Sequence, residues 1–520
     1  MNIGRRVRVP APLAVPAVAA AVIALIPAYY LATEAFSRGA DAVVSEIFQA
    51  RTWSLVVRSA WLTAIVTAAS ISIGTAGAWI TTRVAVPART AILVLLALPL
   101  AIPSYLSAFA WISWQPALEG FWGAAIVLTC ACYPYVMLPV AAALRGLDST
   151  QEDVARSLGR TPRQVAWGLV VPQIRPSITA GGLLVALYVL SDFGAVAAMR
   201  YETFTWVIYG AYRAGFNPSR AATLSLVLIL AAMILVALET RARGRAGAVR
   251  VGSGVSRQTQ TRGSNRGILV ALPTAGLIVA ASLGVPVASV ISWLQRESQR
   301  SVPWSDVRSA IVDSFAIGML TAIATILVAL PVGIAASRYR SAFSSTIERA
   351  TYVTHALPGI VIAISVVYVG IRLLTPWYQQ LPLLILGQVL IFLPLAVGAI
   401  RNSIEQSSSR MEEVAHSLGA GTMATILRVT VPLALPGIGA AAALTMLNAM
   451  KELPTTLLLR PTGWETLATG IWKYSTVSDY AAVGPYALAL MVLTALPTAL
   501  VSSLTVLRIS RGQRIASGVQ

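Results

Sequence analysis

The sequence predicts an all-α polytopic membrane protein of about 12 transmembrane helices, in two tandem pseudo-symmetric six-helix halves, each with a cytoplasmic hairpin after its fourth span. Three observations predict it. Of 520 residues, 57% are hydrophobic and 11% charged, with a mean hydropathy of +0.73, whereas soluble domains carry about 25% charged residues. Apolar runs of roughly 20 residues, enough to cross a hydrocarbon core of about 30 Å, follow one another along the chain. A segment in the first half recurs in the second.

The runs fall at 12–32, 55–80, 91–112, 121–144, 177–199 and 219–239, and again at 267–293, 310–337, 350–373, 381–400, 437–459 and 482–507. Residues 1–240 form the first half and 267–520 the second. Between them, 241–266 holds Arg241, Arg243, Arg245, Arg250, Arg257, Arg262 and Arg266 among Gly, Ser, Gln and Thr, with no acidic residue. That composition suits a solvated tether. The first run, preceded by basic residues, could serve as a cleaved signal peptide. The run from Ile268 occupies the same place in the second half after its own basic stretch, which favours a retained span.

The net charge of +19 sits in short arginine-bearing segments between apolar runs, so it signals topology and no nucleic-acid partner is expected. Arg5, Arg6 and Arg8 precede the first span, Arg83 and Arg89 follow the second, and Arg508, Arg511 and Arg514 follow the last. Both termini are therefore expected in the cytoplasm, although Arg200 and Arg213 fall in a loop assigned to the other side. Cys130 and Cys132 lie inside an apolar run, where cysteine packs as a small apolar residue. His355 and His416 are far apart in sequence, and no metal site is expected.

The repeat lies at an offset of 260 residues. Glu152-Asp-Val-Ala-Arg-Ser-Leu-Gly159, continuing to Val171-Pro172 and Pro176-Ser-Ile178, matches Glu412-Glu-Val-Ala-His-Ser-Leu-Gly419, continuing to Val431-Pro432 and Pro436-Gly-Ile438; ten of 27 positions are identical without a gap. Ala97-Leu98-Pro99 echoes Ala356-Leu357-Pro358, and Asp192 echoes Glu452. An even number of spans separates the two loops, 148–178 and 408–438, so they face one side. Each reads as a helical hairpin: acids near the start suit the helix dipole, and Gly159 or Gly419 can take the left-handed conformation that ends a helix. Thr161 can cap the next helix, with Pro162 at its opening position. Val154, Ala155 and Leu158 recur at helical spacing, giving the first short helix an apolar face to bury against this protein or a partner.

This pattern resembles the cytoplasmic coupling loop of binding-protein-dependent ABC importer permeases, written EAA-x3-G-x9-I-x-L-P. Glu413, Val414, Ala415, Gly419, Val429 and Val431-Pro432 fill it in the second copy; Asp153, Val154, Ala155, Gly159, Leu169 and Val171-Pro172 fill it in the first. The resemblance implies a transport subunit of the bacterial inner membrane that is not itself an enzyme. Its implied coupling residues are Asp153, Val154, Ala155, Leu158 and Gly159, with Glu413, Val414, Ala415, Leu418 and Gly419. Its implied partners are a dimer of cytoplasmic ATPases and an extracytoplasmic substrate-binding protein. A P-loop requires Gly-Lys-Ser/Thr, but the two lysines, Lys451 and Lys473, are followed by Glu452 and Tyr474. ATP and Mg are therefore expected to be used by the partner, with no cofactor on this chain.

Leu190-Ser-Asp-Phe-Gly-Ala-Val-Ala197 with Arg200-Tyr-Glu-Thr-Phe204, and Met450-Lys-Glu-Leu-Pro-Thr-Thr-Leu-Leu-Leu-Arg460, are similar to fused ferric-iron permeases of this superfamily. Iron(III) is the cargo this likeness implies. Thiamine, polyamines and oxyanions or phosphonates are the alternatives, since their permeases share the architecture. Ionisable residues inside a span usually face a cavity or a partner, so Asp192, Lys451 and Glu452 are the candidates for lining a path. An ion-coupled secondary transporter would share the span count, but it would not place glycine-hinged hairpins after the fourth and tenth spans.

Overall fold

The computed structural model describes residues 9–147, 149–215, 217–244, 265–296, 304–339, 341–495 and 497–498. Arg5, Arg6, Arg8, most of the 241–266 tether, the end of the last apolar run and Arg508, Arg511 and Arg514 lie outside them. Among the described residues every regular element is helical. Nine helices are long and apolar enough to cross a membrane, two bent pairs raise the number to 11, and Tyr480–Ala495 is a shorter apolar helix. Together these match the twelve runs one for one, and the chain is an all-α polytopic membrane protein.

The third and ninth runs are each broken. Arg89–Ala101 and Ser104–Trp114 meet at 94°, and Ala342–His355 and Gly359–Arg372 at 104°. Proline causes both breaks. Pro103 and Pro358 stand at the N-termini of the second segments, with φ −60°, ψ 144° and φ −58°, ψ 146°, each after an extended residue, Ile102 or Leu357. Proline disfavours helical geometry in the residue before it while fitting the start of a helix. The structural counterpart of Ala356-Leu357-Pro358 is thus Ala101-Ile102-Pro103. The expected match, Ala97-Leu98-Pro99, is corrected: Pro99 lies inside the 3-10 turn Leu98–Ala101.

The chain forms two compact units that interleave along the sequence. One comprises Met1–Gln49, Val207–Ile229 and Val302–Gly470; the other comprises Ala50–Trp206, Leu230–Ser301 and Ile471–Gln520. The duplication divides the chain at the tether, while contacts divide it differently, because each unit takes its opening helix from the other repeat.

In the first unit, Ala11–Ala35 packs on Trp304–Arg338, Ala342–Tyr352 and Gly359–Arg372. Ala17, Ala20, Ala21 and Ala24 lie one helical turn apart and are buried with Ala329, Val332 and Ala335. Such small residues allow backbones to approach closely, which matters where lipid supplies no hydrophobic drive between helices. Tyr30 stacks on Tyr368 with ring centroids 4.1 Å apart. This helix is thus packed into its unit along its length.

In the second unit, Ala50–Arg83 packs against Phe121–Arg145 and Val171–Ser191, and the three meet around Val136. A β-carbon at Gly74 would lie 2.6 Å from the Tyr133 carbonyl oxygen, and one at Gly181 would lie 2.8 Å from Val136 Cα. Both glycines are required by the approach of a neighbouring backbone. The helix Val285–Leu294 docks on Ser104–Trp114, where Ser289 Oγ donates to the Ala110 carbonyl (3.2 Å) and Trp293 Nε1 donates to Ser113 Oγ (3.2 Å). Gly74→Val is expected to force two helices apart at a cost of about 1–3 kcal/mol. Thermal unfolding in detergent should show a clear fall in Tm, while Gly276→Ala, which meets nothing within 4 Å, should not.

Candidate functional site

Both copies of the repeat fold as the sequence predicts. Ser149–Ser157 and Arg410–Ser417 are helices, and each ends at a glycine with φ +83°, Gly159 or Gly419. The Arg160 amide donates to the Ala155 carbonyl (3.1 Å) and Ala420 to Ala415 (3.0 Å), while Gly159 donates to Arg156 (2.9 Å) and Gly419 to His416 (3.0 Å). This paired pattern satisfies terminal carbonyls and needs a residue that tolerates positive φ. After it, Thr161 Oγ1 accepts from the Gln164 amide and Gln164 Oε1 accepts from the Thr161 amide, a reciprocal cap with Pro162 in the opening turn. Gly421 stands at the corresponding place in the second copy and offers no side-chain cap. A π-helical turn follows in each, Ala166–Val170 and Ile426–Thr430, leading into Val171–Ser191 and Val431–Met450.

The apolar face of each short helix points away from its own unit. Val154 is 53% and Leu158 77% exposed, and Val414 is 54% and Leu418 82%. Ala155 and Ala415 are half-buried, and Asp153 and Glu413 are exposed. Two copies thus present the same uncovered Val-Leu pair beside an exposed acid. Solvent-facing apolar residues reproduced at matching positions suit an interaction surface better than random exposure does.

Sequence reasoning gave the weight of the acidic motif to Asp153 and Glu413. The residues that fix each hairpin to its unit are the acids before them. Glu152 forms an ion pair with Arg83 at 2.7 Å, with side chains 5% and 8% exposed. Glu412 pairs with Arg338 at 2.9 Å, 15% and 17% exposed. Arg338 also donates to the Ser407 hydroxyl (2.8 Å), and Thr430 Oγ1 donates to Glu412 Oε1 (2.9 Å). Arg83 and Arg338 end the long helices Ala50–Arg83 and Trp304–Arg338. Breaking a buried pair from one side costs about 3–5 kcal/mol, because a charge is left uncompensated. The available signal was the identity of Glu152 and Glu412 across the repeat, together with an arginine closing the second and eighth spans.

Asp192 and Glu452 sit where the fifth and eleventh spans break, and each meets the break of the bent helix in its own unit. Ser104 Oγ, the first residue after Pro103, donates to Asp192 Oδ2 at 2.5 Å; the Ala195 amide donates to Asp192 Oδ1 at 2.9 Å. Glu452 Oε1 accepts from the Thr455 amide (2.9 Å), and Oε2 accepts from the Thr456 amide (3.0 Å) and hydroxyl (3.1 Å). Gly359, the residue after Pro358, lies beside this carboxylate: Thr455 Oγ1 donates to its carbonyl at 3.4 Å. Both acids therefore hold the opening turn of a short helix, Gly194–Ala198 or Pro454–Leu459. In the first unit the network extends inward, since Gln388 Nε2 donates to Thr456 Oγ1 (3.2 Å) and Thr321 Oγ1 donates to Gln388 Oε1 (2.6 Å). Asp192, Lys451 and Glu452 are all half-buried. Among the described residues no group of three His, Cys, Asp or Glu side chains could hold a metal ion.

Two repeats of a helical membrane bundle, each bearing an exposed hairpin and a pair of broken helices, define a transport permease whose two halves share one polypeptide. The chain belongs to the family of binding-protein-dependent transport system inner membrane components, whose model matches residues 73–239 and again 326–512. It is a multi-pass inner-membrane protein. It is 36% identical over 475 residues to the Fe(3+)-transport system permease protein FbpB 2 of Haemophilus influenzae, a match that covers 91% of this chain and 94% of that one. It is 29% identical over 127 residues to a spermidine/putrescine transport system permease of the same organism, covering 24% of this chain and 49% of that one. It is also 27% identical over 185 residues to a sulfate transport system permease of Escherichia coli, covering 31% and 66%.

Proposed function

We propose that this chain is the translocating subunit of an ATP-driven importer for iron(III), taking cargo from an extracytoplasmic binding protein and releasing it into the cytoplasm by alternating access. Both termini and both hairpins face the cytoplasm. Each hairpin docks into one subunit of an ABC ATPase dimer through Val154, Leu158 and Gly159 in the first copy and Val414, Leu418 and Gly419 in the second. Asp153 and Glu413 meet the partner's charges, and Ala155 and Ala415 keep the helix face narrow. ATP and Mg belong to that partner.

The observation that carries the coupling role is the matched, uncovered Val-Leu face ended by a left-handed glycine in both repeats. The cargo rests on the near full-length likeness to an Fe(3+)-transport permease, against polyamine and sulfate permeases that match 24% to 34% of the chain. The broken helices at Asp192 and Glu452 are the turning points of the path, with Lys451 beside the second. Oxygen ligands suit a hard cation.

The test is uptake of radiolabelled Fe3+ into proteoliposomes holding the permease and its ATPase, with loaded binding protein outside and ATP inside. Uptake should require ATP and be insensitive to a collapsed proton or sodium gradient. Uptake driven by an ion gradient without ATP would refute the coupling role, and ATP-dependent uptake of thiamine, polyamine or an oxyanion instead of Fe3+ would refute the cargo.

A further inference from the structure

We infer that the ion pairs Arg83–Glu152, buried, and Arg338–Glu412, largely covered, are the fasteners through which displacement of each hairpin reaches the bundle, so that all four are positioning residues for transport. This rests on the proposal that the hairpins dock an ATPase.

Little else holds the short helix of each hairpin. Of the side chains described from 150 to 158, only Glu152 is buried. In Arg410–Ser417 none is fully buried, and Glu412 is among the most covered. Val154, Leu158, Val414 and Leu418 all point outward. The second part of each hairpin is anchored by buried apolar residues, Val165 and Val170 or Ile426, but the short helix that gives its apolar side to a partner has little hydrophobic grip of its own, so a charge-assisted contact is what ties it to the bundle. In each repeat that contact runs from the first acid of the short helix to the last residue of a helix of 34 or 35 residues, an element that packs along several others of its unit. Pulling the hairpin pulls the end of that helix.

The two fasteners differ in the groups that surround them. Arg338 also grips Ser407, and Glu412 also receives Thr430 at the end of the π-helical turn. The second hairpin is thereby tied to the stretch before it and to the helix after it. In the first copy, Glu152 receives Arg156 at 3.6 Å from within the same helix, and Arg83 Nη2 reaches the Leu144 carbonyl at 3.5 Å.

The experiment uses the permease–ATPase complex in proteoliposomes with loaded binding protein, comparing Glu152→Gln, Glu412→Gln, their double variant, and Arg83→Lys with Arg338→Lys. Glutamine keeps the shape and removes the charge. The double variant should retain the ATPase to within about threefold and keep hydrolysing ATP, while Fe3+ moved per ATP falls at least tenfold. Each single variant should fall less than the double, and the lysine variants should recover part of the ratio. An unchanged Fe3+/ATP ratio would overturn the inference, as would loss of ATPase binding in step with transport, which would reduce the pairs to shaping the docking helix. Wild-type permease that binds no ATPase would overturn the docking proposal itself, and the fasteners with it.

Discussion

Gly159→Pro combined with Gly419→Pro should strip the ATPase from the permease while leaving a folded bundle in the membrane. Proline holds φ near −65°, and both positions sit at +83°, a difference no local adjustment absorbs. Each substitution also deletes an amide that donates to the penultimate turn, to Arg156 at 2.9 Å or His416 at 3.0 Å. The hairpin then opens, and Val154 and Leu158, or Val414 and Leu418, lose their fixed direction. Co-purification should fall below about one hundredth of wild type, because two docking sites on one dimer bind with an avidity that collapses when both fail. Single variants should retain a weaker complex. Normal co-purification of the double variant would remove the hairpins from the docking surface.

Glu452→Gln should be far more damaging than Asp192→Asn, although the two acids occupy equivalent breaks. Both oxygens of Glu452 accept amide donors, from Thr455 and Thr456. A glutamine must point its own NH2 at one of them. Thr456 is 1% exposed, so the orphaned donor has no water to turn to, at a cost of about 1–3 kcal/mol. Asp192 accepts from the Ala195 amide and the Ser104 hydroxyl, with the Val196 amide also facing its carboxylate. An asparagine can keep its oxygen toward Ala195, and the Ser104 hydroxyl can rotate to accept. Thermal unfolding should place Glu452→Gln several degrees below wild type and Asp192→Asn within about one degree, with uptake reduced at least tenfold in the first. Equal loss of uptake in both, with no change in Tm, would instead show that charge along the path dominates.

The parts that were legible in the sequence are those written in local chemistry. Apolar runs between arginines marked the spans, and the repeat at Glu152 and Glu412 marked the hairpins. The left-handed glycines and the Thr161-Pro162 opening followed from residue type and spacing. Long-range pairing was not legible: nothing near Ala17 or Ala20 says that this face meets Ala329 and Val332 more than 300 residues on. The proline echo misled because two Ala-x-Pro sequences, at 97 and 101, lie four residues apart, and only the second has an extended residue at the break. Asp192 and Glu452 were read for their charge, but they also cap. An acid three residues before the amide it receives is a local pattern, and Glu452-Leu-Pro-Thr455 carries it openly. Arg83 was read for topology alone, since an arginine closing a span gives no hint that its partner lies 69 residues away.

The exchange of opening helices sets a timetable for biogenesis. The Ala11–Ala35 helix emerges long before the surfaces that receive it, which begin at Trp304. At roughly 5–20 residues per second of synthesis it waits on the order of a quarter of a minute to a minute before they exist. During that interval its alanine stripe faces lipid, a neighbour, or the insertion machinery. The tether between repeats keeps both halves on one nascent chain, so the awaited surface always arrives beside the helix that needs it, at an effective concentration no pair of separate polypeptides could match.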